Sequence, residues 1–270
     1  MESKAGKSLP SDLYTEEYFL TACEGYDVFL ESEGRHLSRR LNDAFEKADV
    51  QAGMRLLDVG CGRGEIIRHC MHRDIEAFGI DYADVAVMMT SNAIKKEKEH
   101  AERNTAAAGV CRADAKLLPF PSSHFDRVLM FDVVEHLFPW ELDLALRDIH
   151  RVLNPDGRLV IHTAPNRWYD TYAYPVVRFG RTLIGQGDRY PKNPRTIIPV
   201  NEDVHVNEQD IRSMSKTLRQ AGFKAKVWLD SPPRTEGEGI FLDTLHWIAF
   251  SVPPFRWFFE REVFAVAWKS

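Results

Sequence analysis

The stretch Leu56-Leu57-Asp58-Val59-Gly60-Cys61-Gly62-Arg63-Gly64-Glu65 decides how the rest of the chain is read. Met54 to Val59 is apolar enough for a strand covered on both faces. Three glycines at alternate positions then let the backbone turn sharply and let a ligand approach without a Cβ in the way. Ile66-Ile67 followed by Cys70-Met71 has helical spacing. Strand, glycine turn and helix together form the first βα unit of a Rossmann-like sheet, in which ligands sit beyond the carboxyl ends of the strands.

The glycine spacing narrows the ligand. A dinucleotide fold uses G-x-G-x-x-G with a pyrophosphate on the helix N-terminus. Here the pattern is G-x-G-x-G, with Asp58 before it and Glu65 after it. Carboxylates on both sides would repel a pyrophosphate but suit a ligand with an amino group and ribose hydroxyls, so a NAD-dependent reductase is disfavoured. The run D-V-G-C-G-R-G resembles the first motif of class I S-adenosylmethionine (AdoMet)-dependent methyltransferases, in the small-molecule branch. A turn in some other α/β protein is the bland alternative, and the later motifs decide between them.

Glu76 to Asp81 reads as a second strand ending in an acid roughly 20 residues beyond the loop, where Rossmann-like folds place the ribose-binding carboxylate. Asp81 could instead simply cap the next helix. Gly109 to Arg112 is a short third strand leading into Asp114-Ala115. Phe125 to Phe131 is the fourth, running into Asp132-Val133-Val134-Glu135-His136-Leu137, another feature of the family. Trp140 to Leu153 is an amphipathic helix stopped by Asn154-Pro155-Asp156-Gly157, a strong turn signal by itself, ahead of a fifth strand. The resemblance implies a seven-stranded, mostly parallel α/β sheet with an antiparallel last strand, helices on both faces and cap insertions. It also implies roles. Asp58 takes the methionine amino group through the loop, with Gly60 and Gly62 allowing close approach and Cys61 a small loop residue. Asp81 and Tyr82 meet the ribose. Asp114 and Ala115 meet the adenine, although Asp114 could instead be a cap or turn residue. Phe131 or Asp132 lines the methyl end.

The chain has 270 residues, of which 44% are hydrophobic and 28% charged, with a net charge of -5. That is enough for one large α/β domain with insertions. No basic stripe suggests a nucleic-acid partner. The four cysteines, Cys23, Cys61, Cys70 and Cys111, are scattered without a C-x-x-C pair, so neither a disulfide framework nor a zinc site built on cysteine is expected, and a reducing cytoplasm fits. The polar start has no apolar core for a signal peptide, and no apolar run approaches the ~20 residues of a membrane span.

Four stretches divide the chain. Residues 1–50 form an N-terminal segment, with helical spacing from Gly34 to Ala48, of the kind that folds over the cofactor in the family. Residues 51–165 form the AdoMet-binding core. Residues 166–206 are a cap insertion that interleaves aromatics with Arg167, Arg178, Arg181, Arg189, Lys192 and Arg195; such long connections are usually functional. Residues 207–270 complete the sheet, with Asn207-Glu208-Gln209-Asp210 read as a capping box for the next helix. They include a second aromatic insertion at 231–259, which could be cap, dimer face or membrane-touching patch.

Methyl transfer needs a nucleophile held in near-attack geometry and, for a hydroxyl acceptor, a base. His136 and His205 are the candidate bases, each with a capping or packing role as its bland alternative; His162 reads as core. Glu135 beside His136 is the kind of pair that holds a divalent metal in some quinone-pathway relatives, but the reading adopted is that no metal is used. The Y-x-x-E-Y-F segment near the N-terminus is similar to methyltransferases of sugar or polysaccharide biosynthesis. The expectation is O-methylation of a hydroxyl on a sugar, glycan precursor or other natural product. A lipid or quinone-like acceptor is the alternative, favoured if the 241–259 segment proves exposed, and a catalytically silent AdoMet-binding scaffold is a further one. The expected partner is thus a small-molecule or glycosyl acceptor, with a peripheral membrane contact left open and the oligomeric state undetermined.

Overall fold

The computed structural model describes residues 6–100, 106–198, 200–231 and 240–270, with the backbone alone at 240–242 and 245. Seven strands form one sheet: β1 (Arg55–Val59), β2 (Glu76–Asp81), β3 (Ala108–Arg112), β4 (Phe125–Phe131), β5 (Leu153–Thr163), β6 (Phe223–Asp230) and β7 (Glu262–Lys269). Their order is β3-β2-β1-β4-β5-β7-β6. The first five pair in parallel, while β7 runs antiparallel to both β5 and β6. The helices are α1 (Tyr26–Ser32), α2 (Arg39–Lys47), α3 (Glu65–Met71), α4 (Asp84–His100), α5 (Pro139–Val152), α6 (Tyr174–Leu183), α7 (Asn201–Val204), α8 (Ile211–Gln220), α9 (Ile240–Ser251) and α10 (Phe255–Phe259).

Alternate residues of the central strands feed two cores, because successive side chains leave a strand on opposite faces. Leu57, Val59, Val128, Met130, Leu159 and Ile161 pack with Leu142, Leu146 and Ile149 of α5 and Met214 and Leu218 of α8. Leu56, Leu129, Phe131, Val160 and Phe264 pack with Phe45 of α2, Ile67 and Met71 of α3 and Ile94 of α4. Each fully buried Leu or Ile stabilises the fold by roughly 1.5–3 kcal/mol. A sheet covered on both faces explains why the strands read as near-continuous apolar runs.

The expected seven-stranded arrangement is present, and β2 and β4 have the expected bounds. Some local readings change. The Asn154–Gly157 turn lies within β5: Phe125 pairs with Leu153, and the register shifts before Arg127 pairs with Arg158. The α8 N-cap is Asp210, not Asn207: its carboxylate accepts from the backbone N–H of Arg212 and Ser213 while Ser213 Oγ accepts from Asp210 N–H. Helix α2 begins only at Arg39, after Ser38 as N-cap. Residues 1–5 of the N-terminal segment, 101–105 of the core and 232–239 of the second insertion lie outside the described residues.

The two insertions meet. Asn166, fully buried, donates from Nδ2 to the carbonyls of Trp257 (3.2 Å) and Glu260 (2.9 Å) and from its backbone N–H to Arg261 O (2.7 Å). The rings of Trp168 and Phe258 lie 5.7 Å apart. No helix among the described residues is long and apolar enough to cross a membrane.

Candidate active site

A cleft of about 1760 Å³ opens over the carboxyl ends of β1, β2 and β4. The glycine loop, Asp81, Asp114 and Asp132 line its inner wall; Tyr14, Tyr18 and Phe19 of the N-terminal segment and Tyr169, Leu183 and Ile197 of the cap face it from outside.

The loop conformation demands glycine at two points. Gly60 has φ +78°, and a Cβ there would lie 2.3 Å from Val133 Cγ2. Gly64 has φ +81°, with Thr90 pressed against it. L-residues rarely adopt this left-handed region. The N–H groups of Gly60 and Cys61 both donate to Ile80 O, at 2.8 and 3.0 Å, so the loop is tied to the end of β2. Asp81 tightens the tie: one carboxylate oxygen accepts from Gly62 N–H at 3.0 Å and the other from Ala83 N–H at 2.9 Å. Both oxygens keep a free lone pair for a ligand's hydroxyls. Cys61 is buried against Thr90 (Sγ to Oγ1, 3.6 Å), and burial pushes its thiol up, so it packs the loop and offers no thiolate.

Asp58 is buried, and burial, reinforced by Asp81 and Glu65, pushes its carboxyl up to about 8. Burial also raises Asp81. Among the described residues neither carboxylate has an ion pair, so the site is short of positive charge and suits a ligand carrying an ammonium and a sulfonium. Glu65 does not share in this. It is paired inside the protein with Arg63 at 2.9 Å, which corrects the expectation that it lends the loop negative charge. Arg63 also donates to Phe19 O (3.1 Å) and Glu24 O (2.8 Å), clamping the N-terminal segment over the loop. Asp114 and Ala115 lie on the cleft wall as expected. Asp114 already accepts from Lys116 N–H at 2.9 Å and pairs with Lys116 Nζ at 2.9 Å, and Nζ also reaches Glu141 at 2.7 Å. Tyr82 faces the cleft and is otherwise exposed.

At the end of β4, Phe131 is buried and Asp132 turns out of the strand at φ +54°. Asp132 is gripped by Arg40 of α2 (2.9 Å) and by His162 of β5 (2.7 Å), and His162 Nε2 lies 3.7 Å from Glu262. Burial opposes charge on Asp132, but Arg40 and His162 outweigh it and hold the carboxyl well below its ordinary range. Burial would likewise lower His162, and Asp132 outweighs it to leave the pKa at about 9. His162 is therefore a core residue with a partner, consistent with its strand position.

His136 and His205 come together beside this group, their ring centres 5.1 Å apart. Tyr18 OH lies 3.4 Å from His136 Nε2, and His136 Nδ1 lies 3.1 Å from Val204 O. Burial lowers His136 to about 4. Burial, then His136 and Arg195, lowers His205 to about 3. Both imidazoles are neutral at pH 7 and have a lone pair to give. Glu135 is buried and accepts from Thr163 Oγ1 at 2.7 Å; burial, then Asp132, pushes it up to about 8. Sequence reasoning missed Tyr14, Tyr18 and Arg40 as site residues, since nothing local marks a side chain that arrives from a distant segment, and it missed the roles of Arg63 and Lys116, which stand within the motifs but whose partners Phe19, Glu24 and Glu141 lie far off in sequence.

Residues 57–161 match the family described as a methyltransferase domain. Among curated proteins, the chain is 25% identical over 187 residues to the ubiquinone/menaquinone biosynthesis C-methyltransferase UbiE of Shewanella piezotolerans, covering 66% of this chain and 70% of that one. It is 26% identical over 216 residues to the protein of the same name from Laribacter hongkongensis, covering 77% and 82%. Among solved structures, the phosphoethanolamine N-methyltransferase 2 of Haemonchus contortus in complex with S-adenosyl-L-methionine superposes with a TM-score of 0.54 at 16% identity, over 85% of this chain and 52% of that one.

Proposed function

We propose, for a chain that is a class I S-adenosylmethionine-dependent methyltransferase, that the acceptor is a quinone-like or lipid compound with a polar ring and an apolar tail. The observation that carries this is the apolar mouth of the cleft. Leu183 (71% exposed), Ile184, Ile197 and Phe255 line the cleft and are at the same time open to solvent. Phe179, Trp247 (61% exposed) and Trp257 extend the exposed apolar surface. Such a surface costs free energy in water and marks a binding face. Trp247 of α9 and Phe255 and Trp257 of α10 are exposed, which goes toward the condition under which the sequence favoured a lipid or quinone-like acceptor, and the similar curated proteins carry quinone C-methyltransferase names.

AdoMet, when bound, supplies an electrophilic methyl group on a positive sulfonium. Asp81 would hold its ribose hydroxyls, Asp114 and Ala115 its adenine, and Asp58 with the Gly60–Gly62 backbone its methionine end. Phe131 and Asp132 would border the reacting region, and Tyr14 and Tyr18 would keep water out. His136 and His205 would receive the oxygen of a ring hydroxyl and accept its proton. The ring carbon that the deprotonated oxygen enriches would receive the methyl group of AdoMet, with S-adenosylhomocysteine as the leaving group, and the displaced ring proton would pass to whichever imidazole is still neutral.

O-methylation of a glycosyl hydroxyl is the second reading. It is favoured by Asp170, Arg181, Arg189 and Arg195, which line the cap side of the same cleft and would suit a sugar or phosphate headgroup. The test is incubation with methyl-labelled AdoMet and either a total lipid extract or a mixture of soluble sugar nucleotides. Label in the organic phase supports the lipid or quinone-like acceptor. Label only in the soluble sugars overturns it.

A further inference from the structure

We propose that Glu135, His136 and His205 form a binding site for one divalent transition-metal ion of the Zn²⁺ type. Each offers one ligand atom, and these atoms lie within 4.8 Å of one another. Ligands at 2.0–2.2 Å around a tetrahedral ion stand roughly 3.4 Å apart, so modest side-chain adjustment closes the set. Two histidines and one glutamate are a three-ligand set that leaves a fourth position open, the arrangement of catalytic rather than structural zinc.

The surroundings argue for a metal more strongly than the three side chains do. A ligating imidazole gives its second nitrogen to a carbonyl or carboxylate, which fixes its tautomer and aims the first nitrogen at the ion. His136 Nδ1 is 3.1 Å from Val204 O, so Nε2 carries the lone pair and faces the cluster, with only Tyr18 OH at 3.4 Å before it. His205 Nδ1 is buried without a hydrogen bond and lies 3.9 Å from Glu208 Oε1, itself buried and unbonded. A small turn of the ring makes that a carboxylate–histidine pair and leaves Nε2 to offer. Arg195 bonds the other oxygen of Glu208. One oxygen of Glu135 accepts from Thr163 Oγ1. Glu135 and His136 thus each have an outer partner that orients them, and His205 has one within reach at 3.9 Å. Glu135 is 2% exposed and has no ion pair among the described residues, and a bound divalent cation would supply the counter-charge that its ionised form lacks.

On the acceptor reading above, the open coordination position would take the acceptor's oxygen and favour its ionised form, and this polarisation would stand in place of proton acceptance by the two imidazoles, whose lone pairs the ion would hold. Metal binding itself does not depend on that reading and is measured apart from it. Metal-stripped full-length protein is titrated with Zn²⁺ by calorimetry and with Co²⁺ by visible spectroscopy. One equivalent per chain is expected, with the d–d bands of four- or five-coordinate Co²⁺. His205→Gln and Glu135→Gln should each weaken binding by tenfold or more while AdoMet affinity and thermal melting stay as in the parent. His205→Cys, which restores a ligand, should retain Co²⁺ and add a sulfur-to-cobalt charge-transfer band. Failure to bind Zn²⁺ or Co²⁺, or binding unchanged in the Gln variants, overturns the site. Metal binding without methylation of any lipid fraction leaves the site standing and rejects only the acceptor.

Discussion

The imidazoles of His136 and His205 meet edge to face at 5.1 Å because main chain, not ring chemistry, holds them there. The N–H groups of Val206 and Asn207 both donate to Glu135 O, at 2.8 and 3.1 Å, so the loop carrying one histidine is sewn onto the turn carrying the other. Replacing either ring leaves these bonds in place. His136→Ala and His205→Ala are therefore expected to lower kcat by roughly 10²–10⁴-fold with AdoMet affinity unchanged. Steady-state rates beside calorimetric titration check this, and full activity in both variants would remove the histidines from the chemistry.

Asp81 both shapes the glycine loop and faces the cleft. Asp81→Ala should weaken AdoMet binding by about 1–3 kcal/mol through lost hydroxyl bonds. Equal affinity for AdoMet in variant and parent, measured by calorimetry, would end the ribose assignment.

Arg63 joins three segments through Glu65, Phe19 O and Glu24 O. Removing one partner of a buried pair leaves the other charge uncompensated, at a cost of roughly 3–5 kcal/mol. Arg63→Met should lower Tm accordingly, and limited proteolysis should cut first between residues 19 and 25. An unshifted Tm would show that the N-terminal segment is held by its aromatics instead.

The Asp132–His162 pair gives stability a pH dependence. The folded pKa of His162, about 9, exceeds that of an unfolded histidine. Its contribution is then complete below about pH 6.5, the ordinary histidine value, and is lost as pH rises through 9. Asp132 is depressed, so its share is present above the ordinary aspartate value and is lost only in strong acid. Thermal melting should fall between about pH 6.5 and 9 in the parent. His162→Gln should flatten that limb; an unchanged slope would place the alkaline loss elsewhere.

The exposed apolar face of the cap should bind a lipid surface. Phe179 and Trp257, both exposed, are remote from the cofactor residues, so Phe179→Asp combined with Trp257→Asp should reduce co-flotation with liposomes severalfold while leaving AdoMet affinity intact. Parent protein that never floats with vesicles would remove the membrane from the account.

What the sequence made legible is the part written in local pattern. Alternation and apolar runs placed the strands, glycine at 60 and 64 marked the loop, and an acid at a strand end marked Asp81. Two cap-type residues, Asn207 and Asp210, stand three apart at the start of α8, and Asp210 won because its carboxylate reaches two N–H groups at once. The site's charge balance was not legible. Glu65 sits beside the loop in sequence but is neutralised by Arg63, and Asp132 is gripped by Arg40 from α2 and His162 from β5. Those pairings are properties of the packed sheet and have no short-range signature.

The place of β7 between β5 and β6 has a consequence for how such an enzyme can diversify. Thr163 is paired with Val263, so the chain leaves the sheet for the first insertion next to where it re-enters from the second. Two segments far apart in sequence thus share one doorstep, with Asn166 as the latch between them. The glycine loop and Asp81, proposed above to hold the methyl donor, lie toward the other end of the sheet order, at β1 and β2. Descent can therefore replace the acceptor-facing half as a single exchangeable module, lengthening or shortening both insertions in concert, without disturbing the inherited donor site.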